Sequence, residues 1–305
     1  MSFTHVLLPQ LDPDRSLRYE LAFPAYAHLP WPLAYRLADW QSRIYYHRKK
    51  IQREMIRQQM QITFPAATQH QLNQWLYDFF RMVEQEALDT WFYNRQAATA
   101  ITELQGFEAV LEARQQGRRV ILTSGHFGRF WMAGPAMRAQ GCSTGTITRD
   151  GGDDNIHGLH PAEHRYRIFK LKILARALGG PFLIEGGNLR KLYRSLDNHL
   201  ITLVFDVPYP ETQPGSVTVP FLGGKIVIPG GVYRIAKKTR SLVAPFFMCD
   251  SGKGKVIAEF TGLLEPDNYN VGDFMSLLAR HLETRILSAP GQWWLWEALP
   301  LLQRE

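Results

Sequence analysis

Two short stretches carry residues that could do chemistry. Gly125-His126-Phe127-Gly128 follows an apolar run, Arg119-Val120-Ile121-Leu122-Thr123-Ser124, and precedes Arg129–Gln140, which can continue as a helix. The spacing reads strand, glycine turn, helix. In open α/β sheets, sites gather beyond the carboxyl ends of the strands. An imidazole in such a turn is accessible and can take a proton from a hydroxyl or amine attacking an acyl carbonyl. Helix N-terminal amides nearby are suited to a developing oxyanion. Asp206 stands at the end of a second apolar run, Leu200–Phe205, just before Val207-Pro208. Two titratable residues at neighbouring strand ends can meet in one cleft. The alternatives are a structural histidine and a turn-capping aspartate.

Other chemistries find little support. His157, His160 and His164, with Asp153 and Asp154 just before them, lack the His-Glu-x-x-His pattern, and Gly158 and Pro161 break a helix here, so no metal site is expected. The Gly-Gly pairs at 151–152, 179–180, 186–187, 223–224 and 230–231 form neither a phosphate loop nor G-x-G-x-x-G. The G-x-S-x-G elbow of serine hydrolases is missing. Cys142 and Cys249, far apart and outside any C-x-x-C pair, indicate neither a disulfide framework nor a thiolate zinc site, and fit a reducing cytoplasm.

The elements that must position these residues follow from periodicity. Leu33, Leu37, Trp40, Ile44, Ile51 and Met55 recur at helical spacing between Leu33 and Met60, ending at Phe64-Pro65. A second helical pattern runs from His70 to about Tyr93. Beyond it, strands over 119–124, 143–148, 181–185, 200–205, 217–221, 242–248 and 255–260 alternate with helices over 107–116, 129–140, 168–178, 188–196, 232–239 and 274–287. The expected fold is α/β, a mixed central sheet flanked by helices with a helical N-terminal segment. We read 1–305 as a single domain, with 1–100 helical and 101–305 the α/β core.

The chain has 305 residues, 45% hydrophobic, enough for a sizeable core. Its net charge of +7 favours anionic partners, and much of the positive charge lies between Arg43 and Arg57. The aromatic and basic residues make no nucleic-acid-binding motif, so no nucleic-acid partner is expected. No apolar run approaches the length of a membrane span, and Met1–Leu11 does not read as a signal peptide. A cytoplasmic protein, soluble or peripheral on the inner face of the membrane, is expected.

At Ser124-Gly125-His126-Phe127-Gly128 the sequence resembles the lipid A lauroyl/myristoyl acyltransferases, whose Gly-His-Phe-Gly-like turn lies within an H-x4-D/E motif. The likeness runs along nearly the whole chain. Trp31–Ala38, Gln61–Pro65, Phe205-Asp206-Val207-Pro208, Val219-Pro220-Phe221-Leu222-Gly223, Pro229–Thr239 and Pro290-Gly291-Gln292-Trp293-Trp294-Leu295-Trp296 follow the family's motifs in order. The resemblance implies a glycerolipid/lysophospholipid acyltransferase-like fold. It also implies transfer of a fatty acyl group from acyl carrier protein or acyl-CoA to a hydroxyl or amine acceptor, a lipid A-like lipid or a biosynthetic intermediate. No cofactor is implied beyond the donor.

Mapped onto this chain, the general base is His126, and the acidic position of H-x4-D/E is Trp131. A tryptophan can neither accept a proton nor balance an imidazolium charge. Either Asp206 or Glu185 serves His126 instead, or the acceptor needs less help from a base, or activity is lost and a lipid-binding protein remains. Asp206 is the first choice. Arg149 approximately matches a family arginine near the acyl or phosphate site. Arg129, Trp131, Arg149 and Glu185 are the candidate substrate-contacting residues. The family's usual N-terminal membrane helix is missing, which weakens lipid A as acceptor, and Arg43–Arg57 is the expected docking surface for an acidic carrier or an anionic membrane.

Overall fold

A computed structural model describes residues 13–94, 96–148, 155 and 158–304. Met1–Leu11, Arg149, Asp153, Asp154 and His157 fall outside the described residues. The N-terminal part is helical: α1 (Pro13–Ser16), a π-helical turn, α2 (Phe23–Tyr26), α3 (Trp31–Arg48), α4 (Lys50–Thr63), α5 (Gln69–Asp89) and α6 (Ala97–Ile101). The pattern expected over 33–60 is two helices, broken at Lys49 (φ −83°, ψ 53°). Neither Pro nor Gly marks the break. It falls inside the densest basic run, so His47 and Arg48 sit at the carboxyl end of α3, where the helix dipole favours cations. α5 opens on a reciprocal capping box between Thr68 and Gln71.

The rest alternates strands and helices: β1 (Thr102–Gln105), α7 (Glu108–Gln115), β2 (Val120–Ser124), α8 (Ala133–Ala139), β3 (Thr144–Thr148), α9 (Pro161–Leu178), β4 (Gly179–Ile184), α10 (Leu189–Asn198), β5 (Leu200–Val204), β6 (Ser216–Phe221), β7 (Gly224–Pro229), α11 (Gly231–Thr239), β8 (Leu242–Gly252), β9 (Lys255–Phe260), α12 (Val271–Ser288), α13 (Leu299–Leu302) and β10 (Gln303–Arg304). The main sheet has seven strands in the order β1-β9-β8-β2-β5-β3-β4, all neighbours parallel except β8 and β9. It is the mixed, helix-flanked sheet that the alternation predicts. β1 and β7 were not expected. β1 is a four-residue strand, and β7 pairs with β6 and β10 in a small antiparallel sheet whose partners lie on both sides of it in sequence.

β2 lies between β8 and β5 and is buried along its length. Covered on both faces, it reads as an unbroken apolar run. Its alternate residues enter two cores: Ile121 joins Leu203, Phe127, Leu282 and Trp293 on one face, while Val120 and Leu122 join Tyr35, Leu88, Phe92 and Met132 on the other. The N-terminal helices therefore close both sides of the sheet, since Leu72, Leu76 and Phe79 of α5 belong to the first core and Leu88 to the second.

Candidate active site

The register of β2 on β5 decides the site. Ser124 pairs with Val204, so two residues further on each strand His126 and Asp206 leave the sheet side by side. The imidazole Nδ1 lies 2.7 Å from Asp206 Oδ1. The His126 backbone N–H donates to both carboxylate oxygens, at 3.0 and 2.9 Å. The indole N–H of Trp293 donates to Oδ2 at 3.1 Å. Asp206 is fully buried, whereas the His126 side chain keeps 26% of its surface exposed. The buried carboxylate thus gathers three donors, and the imidazole is the one that faces outward. A hydrogen bond from Nδ1–H to a carboxylate leaves Nε2 as the ring's proton acceptor.

The turn has no room for a side chain at Gly128 and little at Gly125. At Gly128 (φ +61°) a Cβ would lie 1.9 Å from the Met248 carbonyl oxygen. At Gly125 it would lie 2.6 Å from Leu282 and 3.0 Å from Asp206 Oδ2. The amides of the turn are spent internally. Besides the His126 N–H, that of Phe127 bonds the Gly125 carbonyl and that of Gly128 bonds the Gln292 carbonyl. These three amides are therefore not available to an oxyanion.

A segment far away in sequence holds the turn down. The Trp294 amide donates to the His126 carbonyl at 2.9 Å, and the Trp294 indole donates to the Gly128 carbonyl at 2.8 Å. Phe127 and Trp293 form an isolated antiparallel bridge. The Gln292 side chain accepts from the Asp250 amide, and the Trp296 indole donates to the Pro290 carbonyl. Gly291 packs on α5, where a Cβ would come within 2.6 Å of the Trp75 carbonyl oxygen. Pro290–Trp296 is thus a strap between α5 and the histidine turn. Its motif was visible in the sequence, but its role was not, because nothing local shows which residues an indole will reach.

The other sequence candidates separate. Arg129, expected among the substrate-contacting residues, lies in the core. Only 2% of its side chain is exposed; it pairs with Asp89 at 2.9 Å, donates to the Gly254 carbonyl at 2.6 Å, and stacks over the Tyr35 ring. The backbone turns at Arg129 (φ −92°, ψ 59°) and sends the side chain under the sheet toward α5. Burial opposes charge on this guanidinium, but Asp89 and Tyr35 more than restore it. Burial pushes the Asp89 carboxyl up to about 7 against the pull of Arg129. Glu185 is exposed just past the end of β4, with β5 and β3 between β4 and β2. At normal strand spacing that separation is roughly 14 Å, too far for a hydrogen bond to His126. Trp131 is half-buried and packs on Phe130 with the rings tilted, 4.8 Å between centroids, while Phe130 stands edge-on to the His126 ring at 5.7 Å. Trp131, five residues after His126, thus packs on Phe130, while Asp206 takes the Nδ1 side of the imidazole.

No cluster of metal-ligating side chains is found among the described residues, and no helix among them is long and apolar enough to cross a membrane. A family model described as bacterial lipid A biosynthesis acyltransferase matches residues 20–299. No curated protein sequence matches the chain. Among solved structures, the chain is similar to the crystal structure of the 1-acyl-sn-glycerophosphate acyltransferase PlsC from Thermotoga maritima. That likeness has 14% identity and a TM-score of 0.37 over 92% of this chain and 99% of that one.

Proposed function

The chain belongs to the bacterial lipid A biosynthesis acyltransferase family, and from that premise we propose that His126 is its general base and Asp206 the carboxylate that serves it. The observation that carries this reading is the 2.7 Å contact between Nδ1 and Asp206 beside a ring that remains accessible. Asp206 fixes the tautomer and balances the imidazolium that forms on proton transfer. It supplies from β5 what Trp131 cannot supply from the turn, which argues for a catalyst and against a lipid-binding relic.

The donor is a fatty acyl thioester of acyl carrier protein or coenzyme A. The acceptor is a hydroxyl or amine of a lipid or a biosynthetic intermediate. Nε2 takes the acceptor's proton as its oxygen or nitrogen attacks the thioester carbonyl. The tetrahedral intermediate collapses with cleavage of the C–S bond, and the departing thiolate takes the proton from the imidazolium. The acyl group ends on the acceptor, the thiol is free, and His126 returns to its starting form. Phe130 and Trp131, half-buried beside the ring, offer an apolar wall for the acyl chain near the thioester. The basic run over 43–57 is the surface expected to meet an acidic carrier or an anionic membrane.

The test is thiol release from acyl carrier protein and CoA thioesters, measured with hydroxyl and amine acceptors, for the wild type and His126→Ala. Acceptor-dependent release by the wild type that falls by orders of magnitude in the folded variant is the expected result. Transfer that survives intact in His126→Ala would overturn the assignment.

A further inference from the structure

We infer that Glu283 is a positioning residue for the histidine–aspartate pair: it holds the turn between β6 and β7, and that turn seats the indole that bonds Asp206. The inference rests on the reading of His126 as general base and adds to it a support for its carboxylate. In the β6–β7 hairpin Phe221 pairs with Gly224, so Leu222 and Gly223 form a two-residue loop. Both have positive φ, +47° and +78°. Loops of this length and twist favour Asn, Asp or Gly at the first position. A leucine there is strained, because its Cβ crowds the following carbonyl oxygen. Such a residue persists only where its surroundings over-determine it.

Two features of the surroundings do so here. The Leu222 amide lies in the loop, outside the ladder, and donates to Glu283 Oε1 at 2.7 Å. The Leu222 side chain is buried in the core that also holds Phe221, Leu282 and Trp293. The Phe221 ring meets the Trp293 ring edge to face at 5.6 Å. Trp293 in turn donates its indole N–H to Asp206 Oδ2. Glu283 thus reaches Asp206 through one backbone bond, one ring contact and one indole. Its neighbour on α12 bears on the other member of the pair. At Gly125, just ahead of His126, a Cβ would lie 2.6 Å from Leu282. Successive residues of α12 therefore hold the hairpin tip and the histidine turn, and one helix fixes the distance between them. Removing the Glu283 carboxylate leaves the amide of a buried residue without its acceptor. The leucine is then free to leave its strained conformation, Phe221 moves with it, and the Trp293 indole loses its seat.

The test combines thiol-release kinetics with the indole N–H resonances of protein labelled with heavy nitrogen at its eight tryptophans. The resonance lost in Trp293→Phe reports the bond to Asp206. Glu283→Ala should shift that resonance and lower kcat by about fivefold, near the contribution of one hydrogen bond, with KM unchanged. Glu283→Gln, whose amide oxygen can accept the same N–H, should keep the wild-type resonance and turnover. Glu283→Ala combined with Leu222→Asn gives the loop the asparagine–glycine pair that its twist favours, and should regain most of the lost turnover. In the Trp293→Phe background Glu283→Ala should cost less than about twofold, because the two changes act along one route. An unmoved resonance in Glu283→Ala, a loss confined to KM, or an equal loss in both backgrounds would overturn the proposal. So would collapse of all the indole resonances in Glu283→Ala, which would make Glu283 a support of the whole fold. The resonance is read without turnover. A His126→Ala protein that still transferred acyl groups would therefore sink the general-base reading, while the resonance in Glu283→Ala decides this one separately.

Discussion

Two acid–base pairs leave the same turn three residues apart, and they lie in opposite surroundings. His126 meets Asp206 with its ring still 26% exposed, whereas Arg129 meets Asp89 with both side chains buried. In the first pair an imidazole faces outward and its buried carboxylate is held by three donors. In the second a group that keeps its charge at every accessible pH is locked between α5 and the β8–β9 turn, and Asp89 Oδ2 and Arg129 Nε find no partner. Proximity to the motif thus says little about role. Exposure, and whether a charge can come and go, separate chemistry from architecture.

The comparison can be broken in several places. The largest effect is expected in Asp206→Asn, where an amide cannot hold the imidazole in the same tautomer or balance its charge. Turnover should fall on the order of 10⁴-fold while the melting temperature changes little by comparison. A thiol-release assay beside a thermal melt checks this, and an active Asp206→Asn would remove Asp206 from the mechanism. Arg129→Met should do the reverse. It strands Asp89 in the core and should cost about 3–5 kcal/mol of stability in a denaturant titration. Any protein that remains folded should retain acyl transfer more nearly than Asp206→Asn does.

A pH series sharpens the same contrast. The Asp89 carboxyl is raised by burial to about 7 in the fold, and in the unfolded chain it titrates at roughly 4. As pH rises through this interval the unfolded chain gives up its proton first. The stabilisation is therefore complete below roughly pH 4 and is lost as pH passes about 7. Glu84, also raised by burial, acts in the same direction. The denaturation midpoint should fall across this window, with a reduced slope in Asp89→Asn; an unchanged slope would show that Asp89 does not titrate there. The smallest effect belongs to the strap. Trp293→Phe removes one donor from Asp206, a bond to a charged group worth about 1.5–3 kcal/mol, and should lower turnover by about tenfold with a smaller change in KM. A change confined to KM would mean that the strap shapes binding rather than the histidine–aspartate pair.

Much of the fold was legible because its signals are local. The apolar runs at 120–124 and 200–204 are strands since both faces are covered, and the helix expected over 188–196 is α10, capped by Asn188, whose side chain accepts from the Arg190 amide. The elements that went unseen depend on partners. β1 is too short to show a pattern, β7 exists by pairing with β6 and β10, and the break at Lys49 has no breaker residue. The site divides in the same way. His126 was legible from a glycine turn after a buried strand, and Asp206 from its place at a neighbouring strand end. Arg129 looked equivalent to them because a one-dimensional reading does not tell which side of a sheet a residue will leave.

By itself, the sequence determined the period of the elements, the glycines at 125 and 128 that leave room for a histidine turn, and the chemistry that an imidazole there can perform. Only the tertiary structure decided which carboxylate faces that imidazole, because the choice rests on the register of β2 against β5, a pairing between segments 80 residues apart. It also decided that Pro290–Trp296 closes over the turn and that Arg129 turns inward. Hydrogen bonds and burial are set by neighbours in space, and the chain meets those neighbours only when it folds.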